Sequence, residues 1–512
     1  MSVLEAVLAI LVGSVVLSAL ARKVNAPYPA LLAIAGAFVA LGPVQIPFRL
    51  DPALALALFV APVLLDAAYD TSLRDLKANW LPVGSLILVA VGLTIAGVAV
   101  LAKVLVPELP WPAAVVLGAV VAPPDAAAAS AILGKLRPPH RLVVVLQGES
   151  LLNDASALLV YRVAVSAAIA NAPFATTVVP TFLLSVIAAL VAGPFLARAF
   201  LWLAKFVDDD APSSIILQFS STFIVWIAAE RAGLSPILTV VSYAMTVAHY
   251  APAQSPARMR VPSYAVWDTA VLVLNALAFV LIGLQLRPIV AVAPAGQLRS
   301  WTLFAAAVLA AVVFIRIAWV MFHFLVLKQL SARARGRQGK GVAPTWKAAL
   351  VISWSGMRGI VTLASGLALP NGFPQRGLLL FTAFGVTLGT LVIQGLTLRP
   401  LMLRLGLEDD RPVEREVREA RAELAAAAID ALRHEHGPAA DRLRKELEGQ
   451  RRFAATADDG DGHVPLDSQQ LLWRTVVPRR RRLLQLRDDG TIGDDAFHQL
   501  ERELDFAELA AR

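Results

Sequence analysis

The chain has 512 residues, of which 57% are hydrophobic and only 16% charged. A soluble protein of this length would carry about 25% charged residues, so most of this one is a polytopic α-helical membrane protein whose polar remainder is localised. The excess of 46 Lys+Arg over 38 Asp+Glu suits cytoplasmic loops of a membrane protein better than nucleic acid, and the lack of cysteine excludes disulfides, thiolate metal sites and a thiol nucleophile.

Apolar runs of about 17–25 residues recur along the first four-fifths of the chain. In order they cover 3–21, 28–47, 52–69, 80–105, 111–134, 142–171, 175–204, 213–231, 235–250, 264–286, 300–328, 346–370 and 376–405. The first lacks a preceding basic stretch and reads as a span, not a cleaved signal. Basic residues concentrate in alternate connections. Lys328, Arg333, Arg335, Arg337, Lys340 and Lys347 fill one of them, whereas the opposite side holds isolated arginines such as Arg49, Arg231 and Arg287. This asymmetry predicts an odd number of spans, with the N-terminus outside and the C-terminus cytoplasmic at the cell membrane.

Asp66, in "FVAPVLLDAAYD", stands near the end of the third run. It reads as an accessory carboxylate at the mouth of a funnel or as a hydrated loop acid. In the fifth run, "GAVVAPPDAAAAS" places Pro123 and Pro124 before Asp125. Two successive prolines remove two backbone donors, so helical pairing fails near Ala119–Ala122. The freed carbonyls need partners in lipid, and a bound cation is one such partner.

The sixth run contains "LQGESLLNDASALLV". On one helix Glu149 lies a turn from Asn153, and Ser150 a turn from Asp154. The alternative, a helix start capped by Asn153, would leave two fragments too short to span. Ionisable groups at this depth are expensive and usually line an ion or proton path. Arg316, in "AAVVFIRIAWVMF", and Arg358, in "SWSGMRGIVTLASGLALP", are buried cations that need a carboxylate or carbonyl partner. One of the two, Arg316 before Arg358, is expected to form an ion pair with Glu149. The second segment also holds Gly356 and Gly359, marking a second weakened helix. Two interrupted helices in opposite halves of a transporter point to a central site between inverted repeats.

From about residue 406 the composition turns polar. "EREVREARAELAAAAIDALRHE" is amphipathic, "ATADDGDGHVP" reads as a loop, and the remainder reads as two helices around a turn at Gly490 and Gly493. The chain thus divides into a membrane domain, 1–405, and a soluble cytoplasmic helical tail, 406–512, of regulatory character. The run Arg479–Arg482 suits anionic lipid headgroups or a solvated helix face.

Glycine 148 to Asp154, "GESLLND", the preceding broken helix with its aspartate, and "GMRGIVTLA" together resemble the monovalent cation:proton antiporter-1 family, which includes NhaP-type sodium/proton antiporters and the animal sodium/proton exchangers. The resemblance covers about residues 1–405. It implies an all-α, NhaA-like antiporter fold with crossed broken helices, a core and a dimerisation subdomain, a homodimer, and exchange of Na+ for H+ with no cofactor. It also implies that Asp154 and Asp125 bind the cation, helped by Ser150 and Asn153, while Glu149 is held by a buried arginine. The family's usual Thr-Asp-Pro reads Pro124-Asp125-Ala126 here, without the threonine hydroxyl. Competition of a proton and a cation for one carboxylate would couple the two ions. Asn153 cannot titrate, so one proton per cation and electroneutral exchange are expected. Other readings are a K+/H+ antiporter, a cation channel and an intramembrane aspartyl enzyme built on Asp125 and Asp154.

Overall fold

A computed structural model of the protein describes residues 3–23, 27–42, 51–134, 136, 138–170, 178–207, 210–254, 256–294, 296–334, 345–407, 412–455 and 469–510. The regular elements among these are all helical. The chain opens with α1 (Val3–Lys23), α2 (Tyr28–Leu41) and α3 (Pro52–Tyr69), and the short α4 (Leu73–Ala78) leads into α5 (Trp80–Leu105). Next come α6 (Trp111–Val121) and α7 (Ala126–Leu133), two halves of one interrupted helix, and the long α8 (His140–Ala170). Four helices follow: α9 (Val178–Ala204), α10 (Ala211–Arg231), α11 (Pro236–Gln254) and α12 (Ala257–Leu284). Short α13 (Leu286–Val290) precedes α14 (Leu298–Ala334), the second interrupted pair α15 (Trp346–Trp354) and α16 (Ile360–Leu367), and α17 (Arg376–Leu405).

Eight of the described helices are long and apolar enough to cross a membrane, and three shorter apolar helices accompany them. Each apolar run of the sequence falls on one helix or on an interrupted pair. The second run is shorter than expected: α2 stops at Leu41, and 43–50 lie outside the described residues.

The order "long helix, interrupted helix, long helix" occurs twice, as α5, α6/α7, α8 and as α14, α15/α16, α17. Within each set the interrupted helix packs on its long neighbours, and α5 packs on α14 to join the sets. The other helices form a scaffold in which α2 packs on α12, α9 on α11 and α3 on α11. Small residues set that packing. A Cβ on Gly36 of α2 would strike the backbone of Val280 and Gly283 on α12, so the two helices touch backbone to backbone, as small-residue interfaces in membranes allow.

Thr345 caps α15 through the amide of Ala348 (3.2 Å), and Gly406, with φ of +56°, ends α17 in the left-handed conformation that glycine tolerates. Beyond it lie α18 (Pro412–Ala431), α19 (Pro438–Ala455), α20 (Gln469–Asp488) and α21 (Asp494–Ala510). The sequence reading missed α19 as a separate helix, and its loop ATADDGDGHVP, after the first residue Ala455 at the end of α19, lies outside the described residues. The apolar faces of the tail pack on each other: Val417 and Leu424 meet Leu483, Leu486, Phe497 and Leu500. The basic run faces this bundle as well. Arg480 binds Asp505 (2.8 Å) and Glu508 (2.6 Å), and Arg482 binds Glu423 (3.0 Å).

The tail also grips the membrane domain at two places. On the α4–α8 side, Arg74 binds Glu416 (2.6 Å) and the Gly490 carbonyl (3.1 Å), and His140, at the start of α8, lies between Asp75 (2.9 Å) and Asp495 (3.5 Å). On the scaffold side, Arg260 of α12 forms a two-point pair with Asp505, Tyr264 donates to Glu501 (3.0 Å), and Arg487 donates to the Ala248 carbonyl (3.2 Å).

Candidate functional site

The two interruptions cross. Between α6 and α7 the chain leaves helical pairing at Ala122–Asp125, and between α15 and α16 it does so at Ser355–Gly359. The amide of Asp125 donates to the Met357 carbonyl (2.6 Å), so one interruption is hydrogen-bonded to the other. A Cβ on Gly359 would overlap the Asp125 carboxylate, which shows how tightly that side chain lies against the second chain.

Arginine satisfies the carbonyls freed by these breaks. The Arg358 Nε donates to the Val121 carbonyl (2.8 Å), Nη2 to that of Ala122 (3.1 Å) and Nη1 to that of Gly356. Its own amide donates to Thr390 Oγ1 of α17 (3.0 Å). A fixed guanidinium thus meets the carbonyls at the end of α6, those of Val121 and Ala122. It presents several donors in one plane, which matches several carbonyls better than a point charge does. No ion pair joins Arg358 to Glu149 among the described residues.

Glu149 pairs instead with Arg316. Nη2 donates to Oε2 (2.8 Å) and Nη1 to Oε1, the two-point geometry that suits a buried pair. The same guanidinium donates to the carbonyls of Ile352 (3.0 Å) and Ser353 (3.2 Å) at the end of α15. Arg316 thus ties α14, α15 and α8 together.

Helix α8 runs unbroken through the cluster, which removes the capping alternative for Asn153. Glu149 is 1% exposed, Asn153 0% and Asp154 8%. Asn153 donates from Nδ2 to the Pro124 carbonyl (3.0 Å), fastening α8 to the first break, while its buried Oδ1 has no partner among the described residues. Ser150 is half-buried on the same helix. Asp154 and Asp125 are within electrostatic reach of each other, and no side-chain hydrogen bond or ion pair holds Asp154 among the described residues. Tyr28, at the start of α2, is within electrostatic reach of Asp125 from the scaffold. Neither Tyr28 nor Thr390 was found from sequence. A tyrosine at a helix start and a threonine in an apolar run carry no local signal.

Asp66 stands apart from these carboxylates. It is half-buried within α3 and lines a cavity of about 150 Å3 with Gln218, Tyr264, Asp268 and the tail residues His498 and Arg502. Asp70 and Asp268 are its charged neighbours.

The site is thus a two-carboxylate centre at crossed helix interruptions, with arginines fixed nearby. The family model described as "Sodium/hydrogen exchanger, transmembrane" matches residues 7–404. The chain belongs to the sodium/hydrogen exchanger family. A sodium/hydrogen exchanger of Mycobacterium tuberculosis, Rv2287, is 30% identical over 528 residues, covering 99% of this chain and 96% of its own. A "sodium, potassium, lithium and rubidium/H(+) antiporter" of Bacillus subtilis is 30% identical over 385 residues, 72% of this chain and 56% of its own. Among solved structures, the sodium proton antiporter MjNhaP1 of Methanocaldococcus jannaschii matches with a TM-score of 0.58 at 16% identity, covering 80% of this chain and 99% of its own. That likeness establishes the fold. As a member of this family the protein is a multi-pass membrane transporter and not an enzyme.

Proposed function

We propose that this sodium/hydrogen exchanger is a secondary antiporter that exchanges a monovalent cation, Na+ in the first place, for H+ by alternating access, with Asp154 as the shared carboxylate and Asp125, Ser150 and Asn153 as further cation ligands. The observation that carries this is the charge balance of the crossing. Glu149 and Arg316 neutralise each other, and the other charged groups of the crossing are one arginine, Arg358, and two carboxylates, Asp125 and Asp154. One negative charge is left over in a buried layer. A proton or one monovalent cation neutralises it, and both together would leave an excess positive charge. An uncompensated buried charge costs several kcal/mol, so the core crosses readily when one ligand is bound and poorly when none is.

The same balance supports one proton per cation and electroneutral exchange, because Asn153 adds no titratable group. In proteoliposomes carrying a pH-sensitive dye, the wild type should exchange Na+ for H+ at a rate independent of an imposed membrane potential. Asp154→Asn should insert and fold but not exchange. Near-normal exchange by that variant would refute the assignment, and a rate that follows the potential would refute electroneutrality. The broad cation range named for the Bacillus subtilis relative supports testing K+ and Li+ beside Na+.

The remaining elements of the reading are a homodimer in the cell membrane, with the N-terminus outside and the tail in the cytoplasm. The tail is regulatory: it holds α4 and α8, the second of which carries Glu149, Ser150, Asn153 and Asp154, to α11 and α12 of the scaffold. A core that moves against its scaffold must strain or release that bridge.

A further inference from the structure

Most buried hydroxyls of the core helices bond back to their own helix. Thr94 donates to the Ala90 carbonyl (2.7 Å), Ser353 to Ala349 (2.7 Å), Ser355 to Val351 (2.8 Å), Thr382 to Leu378 (2.7 Å) and Thr387 to Ala383 (2.8 Å). Such bonding is the default for Ser and Thr inside helices. Thr362 and Ser365, both on α16, are exceptions. They are 1% and 2% exposed, and neither hydroxyl has a partner among the described residues. Buried polar groups are nearly always paired, so two such orphans three residues apart on one short helix call for a ligand.

Their position indicates which one. Helix α16 begins at the break, directly after the glycine that lies against Asp125. Thr362 follows that glycine by three residues and Ser365 by six, so the hydroxyls climb away from the carboxylates. Ser365 lines a cavity of about 190 Å3 between the core and the scaffold. Ala155, the residue after Asp154, lines the same cavity, as do Arg162 and Glu230, both exposed. Helix α8 starts at the tail-bound His140 and reaches this cavity beyond Asp154, so the cavity lies on the side of the bundle away from the tail.

We infer that Thr362 and Ser365 form a hydroxyl relay that takes a partly dehydrated monovalent cation between this cavity and the Asp154–Asp125 pair. The inference rests on the antiporter reading and adds residues to its ion path. Hydroxyl oxygens are hard, neutral donors. They replace part of a hydration shell without holding the ion so tightly that it cannot leave, as multi-site conduction requires.

The test compares Thr362→Val, Ser365→Ala and Thr362→Ser with the wild type in proteoliposomes, measuring the Na+ dependence of exchange, and in detergent, measuring Tm. Losing one oxygen contact to the cation should raise the apparent KM for Na+ about five- to tenfold in the first two variants, with kcat within about twofold. Thr362→Ser keeps the oxygen and should keep the wild-type KM. Because neither hydroxyl is bonded among the described residues, Thr362→Val and Ser365→Ala should leave Tm unchanged or raise it. An unchanged KM in both would overturn the relay. So would a lowered Tm or a failure to insert, since either makes the hydroxyls structural. Absence of exchange in the wild type would instead refute the antiporter reading itself.

Discussion

Gly359 lies so close to Asp125 that any side chain at that position would occupy the space of the carboxylate. The backbone at Gly359 has a φ of −133°, which other residues adopt, so close approach and not conformation demands glycine here. Gly359→Ala should therefore displace Asp125 and break the Asp125–Met357 backbone bond. We expect exchange to fall at least about a hundredfold, the scale at which a displacement of about 1 Å costs a reacting geometry. Dye-monitored exchange checks this, with Gly366→Ala as the control: its Cβ meets only side-chain atoms, at 3.3 Å and beyond.

Glu149→Gln and Arg316→Ala should each destabilise the protein in detergent by about 3–5 kcal/mol, because each leaves a buried charge without its partner. The double variant should lose less than the sum, since the two side chains share a two-point contact. Strict additivity in the thermal-shift cycle would mean that the pair contributes nothing jointly.

Arg358→Met should act on the backbone. It leaves the carbonyls of Val121, Ala122 and Gly356 without this donor, at about 1–3 kcal/mol for each buried acceptor left unsatisfied. Arg358→Lys should recover part of that loss only, as one ammonium cannot reproduce the planar fork. Equal stability of the two variants would contradict the geometry described.

The tail bridge should loosen as pH rises. His140 faces Asp75 from Nε2 and Asp495 from Nδ1, with Arg74 and Arg141 nearby, and only the imidazolium donates from both nitrogens. Burial raises the Asp495 carboxyl, with further push from Asp75 and Asp70 against the pull of His140. A group raised in the folded state contributes stability below its unfolded pKa and loses it as pH climbs through the folded value. Burial alone would raise Asp75 too, but the His140 hydrogen bond and the Arg74 charge hold it below its ordinary value, so its contribution fails only in strong acid. Asp495 takes up its charge, beside Asp75 and Asp70, over the pH range through its raised folded value. Amide exchange in α4 and the start of α21 should accelerate across that range. His140→Ala, or truncation near Gly406, should flatten the pH profile of exchange without abolishing it. Loss of all exchange on truncation would make the tail part of the transport machinery.

The sequence by itself determined the membrane class, because a long apolar run has few alternatives to a helix in lipid. It also fixed where helices fail, because Pro123 and Pro124 remove backbone donors and the Gly356–Gly359 segment weakens its helix locally. Glu149, Asn153 and Asp154 were legible as a stripe for the same reason: helical spacing is a property of neighbours in the chain. What partners those groups meet was decided only by the tertiary structure. Arg316 and Arg358 are equally lone cations in the sequence. The crossing sends one to a carboxylate and the other to the carbonyls of a helix more than two hundred residues away. Tyr28, Thr390 and the unpaired hydroxyls of Thr362 and Ser365 were unreadable for a related reason, since their surroundings are assembled from segments that no sequence period connects. The tail follows the same division. Its amphipathic faces were legible in the sequence, whereas its grip on Arg74, His140 and Arg260 arises where surfaces distant in the chain meet.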